Sequence, residues 1–547
     1  MADIIITTMA KKAKTKKEDK NLNLESILFN CRDYLRGSAS LNDKRDVILT
    51  LVFLRFIGEK FDDAQAEMRQ MCLDRGLPEE IIENFLSSPA RYKNIVFVPE
   101  AARWSKLINV APSQLPGALD DALQAIEDSG DALKGCVKLS LFTNVNIQPN
   151  DLKQVVDEVN KISHKVFGEE RDLIGRVYEY FLKSFAVNAT KEDGEFYTPH
   201  DIVELIAAFI EPFDGTLYDP CCGSGGMFIQ CAKYVEAKQG DITAVNVFGQ
   251  EKEDATYRLA KMNLAMRGIS HHLGPKPFST FEKDHHAGLT FDYIMANPPF
   301  NLKHWFKPEI TEGDNWAEYG TPPESNANYA WILHMLSKIK ADKGIAGFLL
   351  ANGALGDEDT KDIRKNLIAG NPKVPNSGDK VEAIIVLPRE LFYTTDISVT
   401  LWILNNNKKG GLHHGRSLRD RSGEILFMDL RTWTENPVKG EQKKKVALSA
   451  EQIKRASDIY FKWQEVGTDG ETYAQPELYR SVKLDEIERN GFSLVPSRYI
   501  KFVDRDTAID YDKVLTETAS AVGDLLSLQR ENDDTLRNAL KQLGYEC

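Results

Sequence analysis

The sequence predicts an α/β protein: a doubly wound, mostly parallel sheet with an all-α domain before it and a helical arm after it. Three observations carry this. Between about 166 and 407, short β-like runs alternate with helical stretches. Residues 22–165 place apolar side chains at helical spacing and contain none of those runs. Residues 511–543 carry a heptad seam. At 547 residues the chain exceeds one core of usual size, so several domains are expected. The divisions fall at a disordered tail (1–21), a helical domain (22–165), an α/β domain (166–430), an extension (431–510) and a terminal helix (511–547).

In chain order, "LESILFNCRDYLRG" and "DKRDVILTLVFLRFIGEKFDDAQAEM" are helices, with "SGDALKG" and "NIQPND" as turns between helices. "RDLIGRVYEYFLKSFA" is a further helix. "GEFYTPHDIVELIAAFI" opens another, with Thr198 as N-cap and Pro199 at the first helical position. The β-like runs are "GTLYDP", "AVNVFGQ", "FDYIMA", "GIAGFLL", "EAIIVLP" and "SVTLWILNN". Helices between them include "GMFIQCAKYVEAK", "DATYRLAKMNLAMRG" and "YAWILHMLSKIKADK". The last two runs are too close for a helical crossover and predict an antiparallel edge. "ILFMDLRTW" is another strand and "SAEQIKRASDIYFKWQ" another helix. The terminal seam is Leu515, Thr518, Val522, Leu525, Gln529, Asn532, Leu536, Ala539, Leu543. It suits a helix packed on its own protein, or a coiled-coil arm whose polar middle fixes register with a partner.

A net charge of −13 argues against a surface that grips nucleic acid by itself, unless a partner supplies much of the phosphate contact. The seven cysteines form no C-x-x-C and no zinc spacing, which fits reduced thiols and a cytoplasmic location. No apolar run is long enough to span a membrane. The N-terminal lysines follow the short apolar stretch, the reverse of a signal peptide. That segment reads as a disordered tail, or as a basic arm for nucleic acid.

Two motifs carry chemistry. In "TLYDPCCGSGGMFIQCA" a strand ends at Asp219-Pro220, then Gly223, Ser224, Gly225 and Gly226 lead into a helix. Such a loop lets a ligand approach backbone at a helix N-terminus. Its spacing fails the dinucleotide fingerprint, since the third glycine would fall at Phe228, and no P-loop is present. "VNVFGQE" ends in Glu251, an acid placed to accept both hydroxyls of a ribose. A tight strand–helix turn with a solvated Glu would give the same pattern. The vicinal Cys221 and Cys222 serve as small side chains lining the loop.

In "FDYIMANPPFN" a buried strand ends in a neutral amide. Pro298 biases Asn297 towards an extended conformation, and Pro298 and Pro299 both have fixed φ and no N–H. The Asn297 side-chain oxygen and the Pro298 carbonyl can then converge on one –NH2 group. Accepting both hydrogens of an exocyclic amine pulls its nitrogen towards pyramidal geometry and frees the lone pair, so no ionisable base is needed. Phe300 offers a face for a flipped base. The plain alternative is a Pro-Pro loop leaving a sheet with Phe300 in the core. The chemistry serves N6 of adenine and N4 of cytosine equally.

"DPCCGSGG", "GQE" and "NPPF", with "GEFYTP" upstream, resemble S-adenosylmethionine-dependent amino-methyltransferases of DNA in their γ motif order. "DLIGRVYEYFL", "GEFYTPHDIVELI", "NPPFN", "LPRELFYTT" and "PSRYI" narrow the likeness to the modification (M) subunit of type I restriction–modification systems, over about 22–510. The resemblance implies a Rossmann-like sheet that binds S-adenosyl-L-methionine. Glu195, Phe196, Tyr197 and Thr198 would lie beside its methionine end. Asp219, Gly223, Ser224, Gly225 and Gly226 would form the binding loop, Glu251 would hold the ribose, and Asp284 would lie near the adenine ring. Asn297, Pro298, Pro299 and Phe300 would hold the target base. His271, His272, His285 and His286 read as surface loop residues rather than ligands, and no metal is implied.

The resemblance further implies methyl transfer to N6 of adenine in double-stranded DNA. Implied partners are a specificity (S) subunit that reads the sequence, a second M subunit, and a restriction (R) subunit. The terminal helix is the candidate contact to the S subunit. Competing readings are a methyltransferase of RNA or of protein glutamine, and a non-catalytic assembly subunit that keeps the fold.

Overall fold

The computed structural model describes residues 26–542, apart from 93–94, 131–133, 163–197, 239, 241–243, 266, 307–314, 393–395, 439–444 and 504–509. The tail 1–21, the helix expected over 171–186, Glu195, Phe196, Tyr197 and Leu543 lie outside the described residues.

The first domain is helical. Ser40 caps α1 (Leu41–Asp74) by accepting the Asp43 amide at 3.1 Å. Its apolar positions Val47, Leu51 and Leu54 are buried at helical spacing. They share a core with Leu119, Leu123 and Ile126 of α2 (Leu115–Asp128) and Leu152, Val155 and Val159 of α3 (Pro149–Asn160). Pro149 opens α3, where its missing N–H leaves nothing unpaired.

The second region begins with α4 (His200–Ile210). Its N-cap is Pro199, one residue later than the sequence suggested, because the Thr198 hydroxyl is engaged elsewhere. β1 (Gly215–Asp219), α5 (Gly226–Ala237), β2 (Val245–Gly249), α6 (Asp254–Ala265), β3 (His271–His272), β4 (Tyr293–Ala296), α7 (Asn328–Lys338) and β5 (Ile345–Ala351) follow. Then come α8 (Lys361–Ala369), β6 (Val381–Val386), β7 (Val399–Asn405), β8 (Gly411–His413), β9 (Arg416–Leu418), β10 (Glu424–Asp429), α9 (Ala450–Gln464), β11 (Ala474–Gln475) and β12 (Tyr479–Lys483). All but β8 and β9, a separate hairpin, form one sheet in the order β11-β12-β10-β6-β7-β5-β4-β1-β2-β3.

From β3 to β5 every pairing is parallel. β7 runs antiparallel to both β5 and β6, as the short connection requires. The pair is not an edge, however. β10 pairs with the far side of β6, and β12 and β11 continue the sheet beyond it. Every residue of β6 and β7 is buried, which an edge strand would not allow. The residues after 430 therefore contribute two strands to the same sheet.

α4 is buried nearly all round because it is covered twice. On one side it presses on β5, where a Cβ at Gly347 would stand 2.8 Å from Ile206 Cγ2. On the other lies α9, with Phe209 and Tyr460 rings 4.9 Å apart and the Leu448 amide donating to Asp201. The buried pair Arg421–Glu382, at 2.8 Å and with no exposure of either side chain, fastens the turn before β10 to β6.

The last helix, α10 (Tyr511–Gln542), buries no residue. Leu515, Leu525 and Leu536 are each more than half exposed, so the seam does not pack on the protein's own described residues. Among the described residues no helix is long and apolar enough to cross a membrane.

Candidate active site

The chain leaves β1 towards β2 on one side and reaches β4 on the other. Register pairs Leu217 with Tyr293 and Tyr218 with Ile294, so the two strands end together. A cleft at the carboxyl ends of such diverging strands is where open α/β sheets bind ligands. The Gly-rich loop leaves β1, Glu251 follows β2, and Asn297 follows β4. All three motifs thus meet at one rim.

The loop is built from backbone. Gly223 and Gly225 have φ of +54° and +76°, a conformation other residues rarely adopt. The Glu251 carboxylate accepts the Gly223 amide at 2.9 Å and the amides of Lys252 and Glu253 at 2.7 and 2.8 Å. It is therefore held beside the loop rather than swinging in solvent. Asp219 is 2 % exposed and accepts the Cys221 amide at 2.9 Å. Burial pushes its carboxyl up to about 7, with the Glu251 charge adding to the rise. Burial also raises the thiols of Cys221 and Cys222, as does the negative charge of Asp219; they stay protonated, as small lining side chains do.

Asn297 is the other half of the site. Its Nδ2 donates to Thr198 Oγ1 at 2.9 Å, while its buried Oδ1 has no hydrogen-bond partner among the described residues. An amide anchored by its nitrogen presents its oxygen, and a buried acceptor without a donor carries a cost unless one arrives. Phe300 is half-buried, with its ring 6.1 Å from that of Phe392 in an edge contact. The turn is braced from α7: the Asn301 amide donates to Asn328 Oδ1 at 3.0 Å, and Asn328 Nδ2 returns a bond to Asn301 Oδ1 at 2.9 Å. Asn301 sits at φ +53°, which Asn tolerates.

Asp284 lies in a segment beside Glu251, between Lys283, whose carbonyl accepts from Gln250 Nε2, and His285, whose amide donates to Gln250 Oε1. Its carboxylate pairs with the buried Lys338 of α7 and accepts the His286 amide at 2.7 Å. The residues nearer the loop are Phe278 and Thr280. Phe278 donates its amide to the Glu251 carbonyl at 2.8 Å, and Thr280 Oγ1 donates to the Pro220 carbonyl at 2.6 Å. Three histidines also depart from expectation. His271 and His272 form the outer strand β3, and His286 is buried with Nε2 2.9 Å from the Gly249 carbonyl. His286 fills the space between Tyr218, Phe248 and Phe291, and burial lowers its pKa.

The sequence reading missed Asn263 and Asn328, which brace the two loops. Their signal was faint: Asn263 is an amide on the mostly apolar helix "LAKMNLA", and Asn328 is the first residue of the apolar run "NYAWIL". The donor set as a whole suits a cationic, ribose-bearing ligand: a backbone cradle, a buried acid, an acid just after the second strand and an amide oxygen unpaired among the described residues.

Residues 169–507 match the family model described as N-6 DNA Methylase, and residues 24–159 match the HsdM N-terminal domain. The chain is 33 % identical over 475 residues to the type I restriction enzyme HindI methylase subunit of Haemophilus influenzae, covering 82 % of this chain and 100 % of that protein. It is 29 % identical over 542 residues to the type I restriction enzyme MjaIX methylase subunit of Methanocaldococcus jannaschii, covering 95 % and 90 %. In fold it is similar to the type I restriction–modification methyltransferase subunit of Streptococcus thermophilus, with a TM-score of 0.66 at 23 % identity over 88 % of this chain and 99 % of that one. The chain belongs to the N-6 DNA methylase family, as a methylase subunit of the type I restriction–modification kind.

Proposed function

We propose that this subunit methylates N6 of an adenine rotated out of double-stranded DNA, using S-adenosyl-L-methionine. One observation carries the reading: the Asn297 amide is anchored through Nδ2 on Thr198, and among the described residues nothing donates to its buried Oδ1. Oδ1 and the Pro298 carbonyl accept the two amine hydrogens. Pro299 stiffens the turn and Phe300 receives the base on its ring. The Gly223–Gly226 loop receives the methionine part, with Asp219 the nearby anion, and the resemblance assigns Glu195, Phe196, Tyr197 and Thr198 to the same end of the cofactor. Glu251 accepts the ribose hydroxyls. The adenine ring of the cofactor would lie near Asp284, in the segment that begins at Phe278.

S-adenosyl-L-methionine supplies a methyl group made electrophilic by its sulfonium. The amine nitrogen forms the new N–C bond as the C–S bond breaks, and the nitrogen then loses one proton to solvent. Alignment of the three atoms is the main source of rate.

The helical domain (22–165), the α/β domain (166–430), the extension (431–510) and the terminal helix (511–547) serve a multisubunit enzyme. An S subunit supplies sequence reading and much of the phosphate contact, which reconciles the acidic surface with a DNA substrate. A second M subunit and an R subunit join it, and α10 is the contact to the S subunit. The complex acts in the cytoplasm.

The test is transfer of tritiated methyl from S-adenosylmethionine by the complex as purified from its own cells. Duplex DNA, RNA and protein compete for the label. Label in duplex DNA, lost with Asn297→Ala, is expected. Label in RNA or protein with none in DNA would overturn the assignment.

A further inference from the structure

Helix α6 has two faces, and each belongs to a different domain. On the inner face, Ala260 and Leu264 lie 3.6 Å from where a Cβ on Gly225 would stand. Asn263 is 2 % exposed, and its Nδ2 donates to the Ser224 carbonyl at 2.8 Å. The loop's left-handed turn therefore rests on this helix. On the outer face, Leu259 and Met262 are buried in the same apolar cluster as Leu49 and Val52 of α1. Lys261 Nζ donates to the Lys134 carbonyl of the helical domain at 2.8 Å. A cavity of about 140 Å³ separates α6 from α1 and residues 136–138, lined by Arg45, Thr50, Lys138 and Thr256 among others. Leu259 and Met262 are buried in the shared cluster and also border this cavity, so the contact between the domains is apolar and incompletely filled.

Leu259, Met262 and Asn263 lie within little more than one helical turn, and a helix moves as a stiff unit over that length. We propose that α6 couples the helical domain to the cofactor loop: the seating of Leu259 and Met262 in that domain sets where Asn263 holds Ser224 and Gly225. Asn263 is a positioning residue, and the helical domain is part of the cofactor-binding machinery without touching the cofactor. Linkage makes the effect reciprocal, so cofactor binding also tightens the contact between the domains. The inference rests on the reading of the Gly-rich loop as the S-adenosylmethionine site.

The experiment measures S-adenosylmethionine affinity by calorimetry on the full chain, for wild type, Met262→Ala, Asn263→Ala and Leu86→Ala. Leu86 lies in a separate apolar cluster of the helical domain, so its truncation costs stability without touching α6. Met262→Ala and Asn263→Ala should each weaken binding about tenfold, the scale of one buried hydrogen bond lost. Leu86→Ala should not. In methyl-transfer assays the same two variants should raise KM for the cofactor while kcat and KM for DNA hold, a split that general destabilisation does not produce. Wild type that fails to bind the cofactor would sink the reading of the loop. Wild type that binds, with both variants unchanged, would overturn the coupling alone. Should the variants not fold, hydrogen exchange of the wild type decides: the cofactor should slow exchange at residues 45–50 and 136–138, and no change there overturns the proposal.

Discussion

Lowering the pH from 8 to 6 should weaken S-adenosylmethionine binding about tenfold through one carboxyl group. Asp219 is buried, and burial with the Glu251 charge raises it from 3.8 to about 7. A ligand carrying a sulfonium and an ammonium favours the ionised carboxylate. At pH 8 about nine-tenths of Asp219 is ionised, and at pH 6 about one-tenth, which sets the ratio. Stability runs the other way. Because the folded value lies above the unfolded one, the contribution of Asp219 is fully present below 3.8 and is lost as pH rises through about 7. Over about three pH units the loss is about 4 kcal/mol at most. Asp219→Asn should therefore make the ligand-free chain more stable than wild type at pH 8, while binding the cofactor weakly at every pH. Calorimetric titration at pH 6, 7 and 8, with denaturant melts of both proteins, checks both halves. Affinity that stays flat across this range in wild type, or falls equally in the variant, would refute the role given to Asp219.

Other perturbations test other parts. Thr198→Val keeps the shape but frees the Asn297 amide to turn its nitrogen towards the substrate, so kcat should fall about 10- to 100-fold, an effect of about 1–3 kcal/mol; Thr198→Ser should recover most of it in single-turnover assays. Arg421→Met leaves the Glu382 charge buried without its ion pair and should cost about 3–5 kcal/mol in denaturant melts, with no direct effect on cofactor contacts. Removing residues 511–547 takes away a helix with no buried residue, so the melting temperature of the chain should not change while co-purification of the S subunit is lost.

Much of the site was legible because its motifs are local. A strand, a Gly-rich turn and an Asn-Pro-Pro exit each declare their backbone within a few residues, and the parallel order of β1, β2 and β4 brings them to one rim. What the sequence hid depended on distant partners. The β6–β7 pair looked like an edge because the strand read over "ILFMDLRTW", β10, gives no local sign that it pairs with the far side of β6. Nothing near Asp284 announces its ion pair with Lys338, 54 residues on. His286 looked exposed in a polar stretch, yet three aromatic rings from β1, β2 and the approach to β4 close around it. The terminal seam alone could not say whether α10 packed inwards, and its uniform exposure answers that for the described residues.

The most direct measurement is the identity of the modified nucleoside. The complex purified from its own cells is incubated with S-adenosylmethionine and unmodified DNA, digested to nucleosides and analysed by mass spectrometry beside Asn297→Ala. N6-methyladenine that disappears in the variant is the expected result. N6-methyladenine that persists in the variant would remove Asn297 from the chemistry, and N4-methylcytosine or no methylated nucleoside would contradict adenine methylation.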